Sequence, residues 1–454
     1  MNRTDLDGGL ERLTGWGRTA PTVARVLRPL GASAAQRILG APIEGRAVAF
    51  RGLGRSYGDS AQSAGGAVIE TTRMNAVLEF DPDNGTLRAE AGLSIDRLLR
   101  TTVREGWFVP VTPGTRHVTL GGAVAADVHG KNHHRDGSLG AHVKAIRLIT
   151  PDGDAHDLTP GMPLFDATVG GMGLTGLISE VTLQLFPVST SFMTVETARA
   201  SNLDDLLRTL TEHDGRWRYS VAWIDCLSTG SSFGRGVVTS GDHADRSSLP
   251  PRTVRDPLRF APVTRFRTPG TFPTGALNRA SVRAFNEAWF RRAPTAPRVR
   301  VEHSTTFFHP LDGIADWNRI YGPRGFLQYQ YVMPYGQEEA VAASIRLLAQ
   351  SGAASFLGVL KRFGAEGSGM LSFPMPGWTL ALDLPLLPGL SLLLARLDHI
   401  VLKAGGRLYL AKDARMPRRM IDSGYPRLEE FREVRRSIDP HDRLTTDQSR
   451  RLGL

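Results

Sequence analysis

The stretch Arg51-Gly52-Leu53-Gly54-Arg55-Ser56-Tyr57-Gly58-Asp59-Ser60 carries the densest chemical signal in the chain. Its three glycines let successive backbone N–H groups turn inward, a geometry that cradles a pyrophosphate, and its arginine and serine side chains add further donors. The residues that follow, AQSAGGAVIE, hold no long helical pattern, so this is not the G-x-G-x-x-G turn of a Rossmann unit. Taken alone, the stretch fits an ordinary tight turn as well as a cofactor loop.

Two further loops decide between those readings. Residues 113–134, PGTRHVTLGGAVAADVHGKNHH, place Gly114, Gly121, Gly122 and Gly130 beside His129, Lys131, His133 and His134. Residues 167–180, ATVGGMGLTGLISE, bring four more glycines ahead of a strand-like run. Three such loops in one hydrophobic half-chain point to a bound cofactor rather than to turns alone. The histidines loosely resemble a metal-ligand set. However, Gly130-Lys131-Asn132 would not sustain a helix that puts His129 and His133 on one face, so no metal is assigned.

Around the loops the chain reads as short strands and tight turns. Ala76–Phe80 and Thr86–Ala91 flank Asn84-Gly85, a hairpin signal because both residues tolerate positive φ. Val143–Thr150 followed by Pro-Asp-Gly reads the same way. Between the hairpins lies a helix that Ser94 caps, with Ile95, Leu98, Leu99 and Val103 on one face and Gly106 at its end. The texture changes near residue 191. Residues 228–280, rich in Ser, Gly, Pro and Arg, read largely as a mobile surface segment, a candidate lid. Glu338–Gln350 and Ser391–Lys403 read as amphipathic helices.

At 454 residues two domains are expected, and 49 Gly with 28 Pro suit a loop-rich α+β enzyme. The single cysteine, Cys226, excludes an intrachain disulfide and a cysteine-based zinc site. The net charge of +10 is mostly arginine and reads as scattered, its densest run being Arg415 to Arg419. With no stacking-aromatic or helix-turn-helix pattern beside it, nucleic acid is not an expected partner, and an anionic ligand or membrane surface fits better. The N-terminal MNRTDLDGG has no apolar core, so no signal peptide is expected. Leu382–Leu402 is too broken by Asp383, Pro385, Pro388, Arg396 and Asp398 to span a bilayer. The protein is expected to be soluble or peripheral, at the cytoplasmic face of the plasma membrane, with the cell envelope as the alternative.

The three loops, with LTGWGRTAP, YGPRGFLQYQ, SFPMPGWTLALDLP and GGRLYLAKDARM, resemble the vanillyl-alcohol-oxidase type of FAD-binding flavoprotein. Within it they are similar to the decaprenylphosphoryl-β-D-ribose 2′-oxidase group, the flavin half of an actinobacterial epimerase that makes arabinose donors. The resemblance runs nearly end to end. It implies an α+β, two-domain fold. Residues 1–190 and 407–454 would form the FAD domain, and 191–406 an inserted substrate domain built on an antiparallel sheet. It further implies a non-covalent FAD cradle from Arg51 to Ser60, Gly114, Thr119, Leu120, Gly121, Gly122, Ala126, Asp127, Val128, His129, Ile178 and Tyr409. The substrate wall it implies comprises Trp223, Gln328, Gln330, Lys361, Phe363, Thr379, Ala381 and Lys131. Lys412 is then the cation expected nearest the reacting hydroxyl, and Tyr57, His129 and Lys412 are all candidates for moving the proton.

The chain departs from this group at Thr379 and Ala381, where Asn and Cys are usual, and at Phe308, where Tyr is common. The expected activity is oxidation of the 2′-hydroxyl of a polyprenylphosphoryl-β-D-ribofuranose. A separate NAD(P)H-dependent reductase would complete the epimerisation, and a quinone or oxygen would take the electrons. An oxidase of a soluble sugar, polyol or aldonolactone is the first alternative. A flavin-free lipid-phosphate binding protein is the second.

Overall fold

The computed structural model describes residues 8–41, 47–273, 275–353 and 355–454. Most of the N-terminal segment read above for a signal peptide, residues 1–7, lies outside them. Three sheets carry the architecture. The first orders Gly9–Leu13, Thr22–Leu27, Ala67–Glu70 and Val48–Arg51, the last three strands running parallel. Its last strand delivers the chain into the 51–60 loop. The C-terminal segment returns to this strand, where Val48 N–H donates to Arg443 O at 2.7 Å and Thr445 N–H to Val48 O at 2.9 Å.

The second sheet is antiparallel and holds both expected hairpins, in the order Val77–Asp81, Thr86–Glu90, Leu177–Gln184, Val143–Ile149 and Ala155–Leu158. Gly85 takes φ 72° in the first turn, as the Asn-Gly pair requires. Ser94 caps the helix Ile95–Thr102 by accepting from Arg97 N–H, and Gly106 closes the following turn at φ 83°.

The third sheet has eight antiparallel strands. In spatial order they are Arg298–His303, Phe192–Ala200, Gly236–His243, Tyr219–Ile224, Gly358–Phe363, Gly377–Pro385, Phe326–Pro334 and Arg407–Leu408. The expectation of a mobile loop over 228–280 is corrected at Gly236–His243, an interior strand of this sheet. Its residues GVVTSGDH are buried on both faces over most of their length, so they show no polar alternation. Sequence texture mistook that for irregularity.

Strand Gly377–Pro385 is buried at every position. On one face Leu380, Leu382 and Leu384 pack with Tyr329 and Tyr331 against the helices Glu338–Ser351 and Leu390–Lys403, through Val341, Ile345, Leu394 and Leu397. Each such leucine contributes roughly 1.5–3 kcal/mol by leaving water. The apolar stretch 382–402 is therefore the end of a strand, a turn and a helix. Among the described residues no helix is long and apolar enough to cross a membrane. The opposite face of the same strand is polar, and that face positions the site.

Candidate active site

Strand alternation assembles this wall. Register sets Gln328 opposite Asp383, Gln330 opposite Ala381, Lys361 opposite Thr379 and Phe363 opposite Gly377. Val359 stands between Ala381 and Trp223. Because side chains alternate with period two, Gln328, Gln330, Thr379, Ala381, Asp383, Lys361, Phe363 and Trp223 share one face. A buried sheet face rich in amides and charge is costly unless each group finds a partner, and most of these do. Gln330 Nε2 donates to Thr379 Oγ1 at 3.2 Å, and Gln328 Nε2 donates to Asp383 Oδ1 and to Tyr57 Oη. Trp223 sits farthest from the rest and donates its indole N–H to Phe356 O.

The glycine loops meet this wall through their backbones. A methyl group on Gly52 would stand 2.1 Å from Thr119 Oγ1, and one on Gly58 would stand 2.0 Å from Asp413 O. Only glycine permits these approaches, which bring 51–60 against both the second loop and 409–413. Tyr57 N–H donates to Ala411 O at 3.0 Å, and Tyr409 Oη donates to Ala126 O at 2.8 Å. Thr119 caps the short helix Leu120–Ala125 by accepting from Gly122 N–H. The third loop joins through Gly170 N–H to Val124 O and Met172 N–H to Ala125 O. Space remains around Gly114, whose Cβ position meets nothing within 4 Å. The loop there is anchored by Arg116, buried with Asp312 at 3.2 Å.

Not every expected cradle side chain faces that space. Arg51 is spent on the carbonyls of Thr14 and Ala61, and Asp59 pairs with Arg451 at 2.8 Å. Asp127 accepts from Gly140 N–H and Ser372 Oγ. These three brace the loops from behind. Ser60, Val128 and Ile178 are buried, while Leu53 is exposed. Phe308 is buried among Phe108, Phe307 and Tyr219.

Among the buried polar atoms without a protein partner are two donors of the loops, Arg55 Nε and His129 Nδ1, with Asn132 Oδ1 and His133 Nε2 close to the latter. Arg55 lies over the Trp16 ring at 3.9 Å. His129 is ringed by Phe363, Phe373 and Tyr409, and accepts from Gln330 Nε2 at 3.1 Å through its own Nε2. Burial and the nearby Lys361, His133 and Lys412 keep this ring neutral. With Nε2 accepting from the Gln330 amide, the ring's one proton sits on Nδ1, which is buried without a protein partner. Orphaned donors beside a glycine cradle fit an anionic, heteroaromatic cofactor. Among the described residues no cluster of His, Cys, Asp and Glu is placed to hold a metal ion.

Charge gathers at the end of the wall. Lys412 Nζ lies 4.0 Å from the Tyr57 ring centroid, and burial, opposed by Asp383, lowers its pKa to about 8. Asp383 is pushed up to about 7 by burial, against the pull of Gln328, Lys412 and Tyr321. Lys361 falls to about 7 through burial and the charges of Lys131 and Lys412. Lys131 falls to about 8 through burial, with its ammonium over the Phe307 ring at 4.1 Å and bonded to Phe307 O. Burial also raises Tyr57 well above the usual phenol range.

Asp383 and Tyr321, whose Oη reaches Asp383 Oδ2 at 3.4 Å, were not among the sequence candidates. The signal was present: Asp383 stands two and four residues from Ala381 and Thr379, on the same parity of one strand.

Residues 24–159 match the FAD binding domain family. The whole chain is 41% identical to the whole of decaprenylphosphoryl-β-D-ribose oxidase from Mycolicibacterium smegmatis. It is 41% identical, over 80% of its length, to the whole of an uncharacterised protein of Streptomyces coelicolor. A 28% identical match to alditol oxidase of a Streptomyces species covers 27% of this chain and 29% of that one. The cradle, the unpartnered donors and this end-to-end similarity agree: the chain is an FAD-dependent oxidoreductase that belongs to the decaprenylphosphoryl-β-D-ribose oxidase family.

Proposed function

We propose that the protein oxidises the 2′-hydroxyl of a polyprenylphosphoryl-β-D-ribofuranose to the 2′-keto sugar, the first half of an epimerisation to the arabinofuranose donor. The observation that carries this reading is buried Lys412, its Nζ over the Tyr57 ring and within the field of Asp383, beside a polar sheet face that meets the glycine loops. FAD, when bound, supplies a hydride acceptor. Gly52, Gly54, Gly114, Gly121 and Gly122 would hold its pyrophosphate. Arg55 Nε–H and His129 Nδ1–H would be its side-chain donors, and the cofactor is held without a covalent bond.

The other residues serve the sugar. With a pKa near 8, Lys412 is in part neutral at working pH, and its Nζ takes the hydroxyl proton. Asp383 holds the resulting ammonium and shares its second oxygen with Tyr321. Gln328 and Gln330 orient the ribose hydroxyls. Lys361 and Lys131 hold negative charge on the phosphate side, while Phe363, Trp223, Thr379 and Ala381 bound the space. A separate NAD(P)H-dependent reductase returns hydride to the opposite face of the keto carbon, and a quinone or oxygen accepts the electrons. The protein works as a peripheral protein at the inner face of the plasma membrane.

Anaerobic mixing with synthetic prenylphosphoryl-ribose tests the reading. Bleaching of the oxidised flavin bands is expected. A yellow protein that stays yellow would move the substrate to another alcohol.

A further inference from the structure

The formal excess of +10 is not spread along the chain. Residues 246–300 hold twelve arginines, no lysine and two carboxylates, Asp256 and Glu287, so the remainder of the sequence is balanced. No dense run marks it, because apart from Arg291-Arg292 single arginines alternate with Pro, Thr, Val and Phe. All twelve are exposed. Arg267, Arg291 and Arg300 face a carboxylate. The other nine have no ion pair among the described residues. By contrast, within the run Arg415 to Arg419, Arg415 pairs with Asp398 and Arg418 with Asp422.

The same segment exposes seven large apolar side chains: Val254, Val263, Phe266, Phe272, Phe285, Trp289 and Val299. Helix Arg279–Arg292 shows how they are presented. It buries only Val282 and Asn286, and Phe285 and Trp289 stack on each other at 6.1 Å, 43% and 44% exposed, with Arg292 on their side of the helix and Arg279 and Arg283 on the other flank of the buried strip. Phe266 lies on a strand paired with Ile314, itself exposed. The parts are tied to the body through Arg199 to Ala293 O, Asn286 to Asp225, and His303 to Arg259 O.

From this face a chain of contacts leads to the reaction site. Phe285 touches Phe356 at 5.6 Å, Phe356 stacks on Tyr321 at 5.8 Å, and Tyr321 bonds Asp383.

We infer that residues 246–300 form the surface by which the protein docks on the anionic face of a phospholipid bilayer. Arginines meet the headgroups, and Phe266, Phe285 and Trp289 enter the interface. The valines interleaved with the arginines suit an apolar interface and give bases nothing to stack on, and Phe285 and Trp289 already stack on each other. Docking sets the Phe285–Phe356–Tyr321 path against the bilayer, where a prenyl phosphate resides. This inference rests on the proposed substrate.

The test is flotation of the FAD-bound full chain with vesicles of phosphatidylcholine alone or with phosphatidylglycerol. Binding to the anionic vesicles alone, weakened by salt, is expected. Each arginine near an anionic surface is worth about five-fold in partitioning, so R279E/R283E/R292E should bind at least about a hundred-fold more weakly. These side chains are exposed and unpaired, so thermal midpoint and flavin spectrum should match those of the unsubstituted protein. Turnover of a prenylphosphoryl-ribose with a short, water-soluble chain should be unchanged. Equal binding to both vesicle types, equal binding by the triple variant, or preference for RNA over anionic vesicles would overturn the inference. Failure of the short-chain substrate to bleach the flavin would instead sink the proposed reaction, leaving the vesicle result to stand by itself.

Discussion

The molecule holds two concentrations of positive charge, built from different residues. Around the buried polar sheet face the cations are lysines, Lys131, Lys361 and Lys412, with pKa values drawn down to between about 7 and 8. Along 246–300 they are all arginines, and all exposed. A lysine taken out of water can give up its proton, whereas an arginine stays charged at any working pH. The charge that must be surrendered, on Lys412, lies inside, within the field of Asp383. Charge that must persist against a surface lies outside.

The largest effect is expected at Lys412. Lys412→Met keeps the stem and removes the proton acceptor, so flavin reduction by substrate should slow by about a thousand-fold with the oxidised spectrum unchanged. Anaerobic stopped-flow absorbance measures it, and a loss under ten-fold would hand the proton to another group. The pH profile adds a sign. If neutral Lys412 is the working form, the rate rises with pH towards about 8. Asp383→Asn removes the carboxylate that favours the ammonium, so that rise should move to lower pH.

Next in size is the cradle. Gly58→Ala drives a methyl group into Asp413 O, and overpacking of this kind costs about 1–3 kcal/mol. If that strain falls on the bound state, FAD affinity drops by roughly ten- to hundred-fold, as apoprotein titration with FAD would measure. Gly9→Ala, where a Cβ meets nothing, should leave affinity unchanged. Equal losses would mean the close approach at Gly58 does not shape the site.

How much of this was legible beforehand follows from where the information sits. The convergence of the glycine loops could be read because glycine spacing is local, and the helices from Ser94, Glu338 and Leu390 because caps and periodic faces are local too. Strand Gly236–His243 was lost because burial on both faces erases the alternation that marks a strand. Asp383 was noticed only as an interruption of apolar sequence. Its partners Gln328 and Tyr321 lie 55 and 62 residues away, and only strand pairing joins them. The arginine face shows only over a window of 55 residues, because apart from Arg291-Arg292 its arginines are separated by other residues and form no long run. Arg51 and Asp59 sat in the right loop, but their side chains turn back to brace it.

A smaller effect concerns stability. Burial and two neighbouring lysines lower Lys361 from its ordinary 10.5 to about 7. Between those values the unfolded chain binds more protons than the folded one, so this residue's contribution to stability rises with pH across that window. Below about pH 7 the buried charge costs a few kcal/mol. Lys361→Met should therefore raise the thermal midpoint by a few degrees at pH 6.5, with the gain fading towards pH 10. A midpoint that does not move would mean Lys361 is solvated or paired, and that the interior cluster resembles the exterior one after all.

The smallest effect is an expected absence of reaction, and it separates the two faces of one sheet. Cys226 belongs to the leucine-rich core and is 1% exposed, and burial drives its thiol far above the ordinary range. The reactive thiolate is thus withheld, and a thiol-directed electrophile should leave the native protein unlabelled and its turnover unchanged. Ala381 lies on the other face, opposite Gln330. Ala381→Cys should take the label, and substrate should protect it, with intact-mass measurement reading both results. Labelling at Cys226 would show that the core side of the sheet opens to solvent. An unlabelled Ala381→Cys protein would show that the polar face is closed to molecules of this size, and the substrate would then have to approach Lys412 and Asp383 from the Tyr321 side.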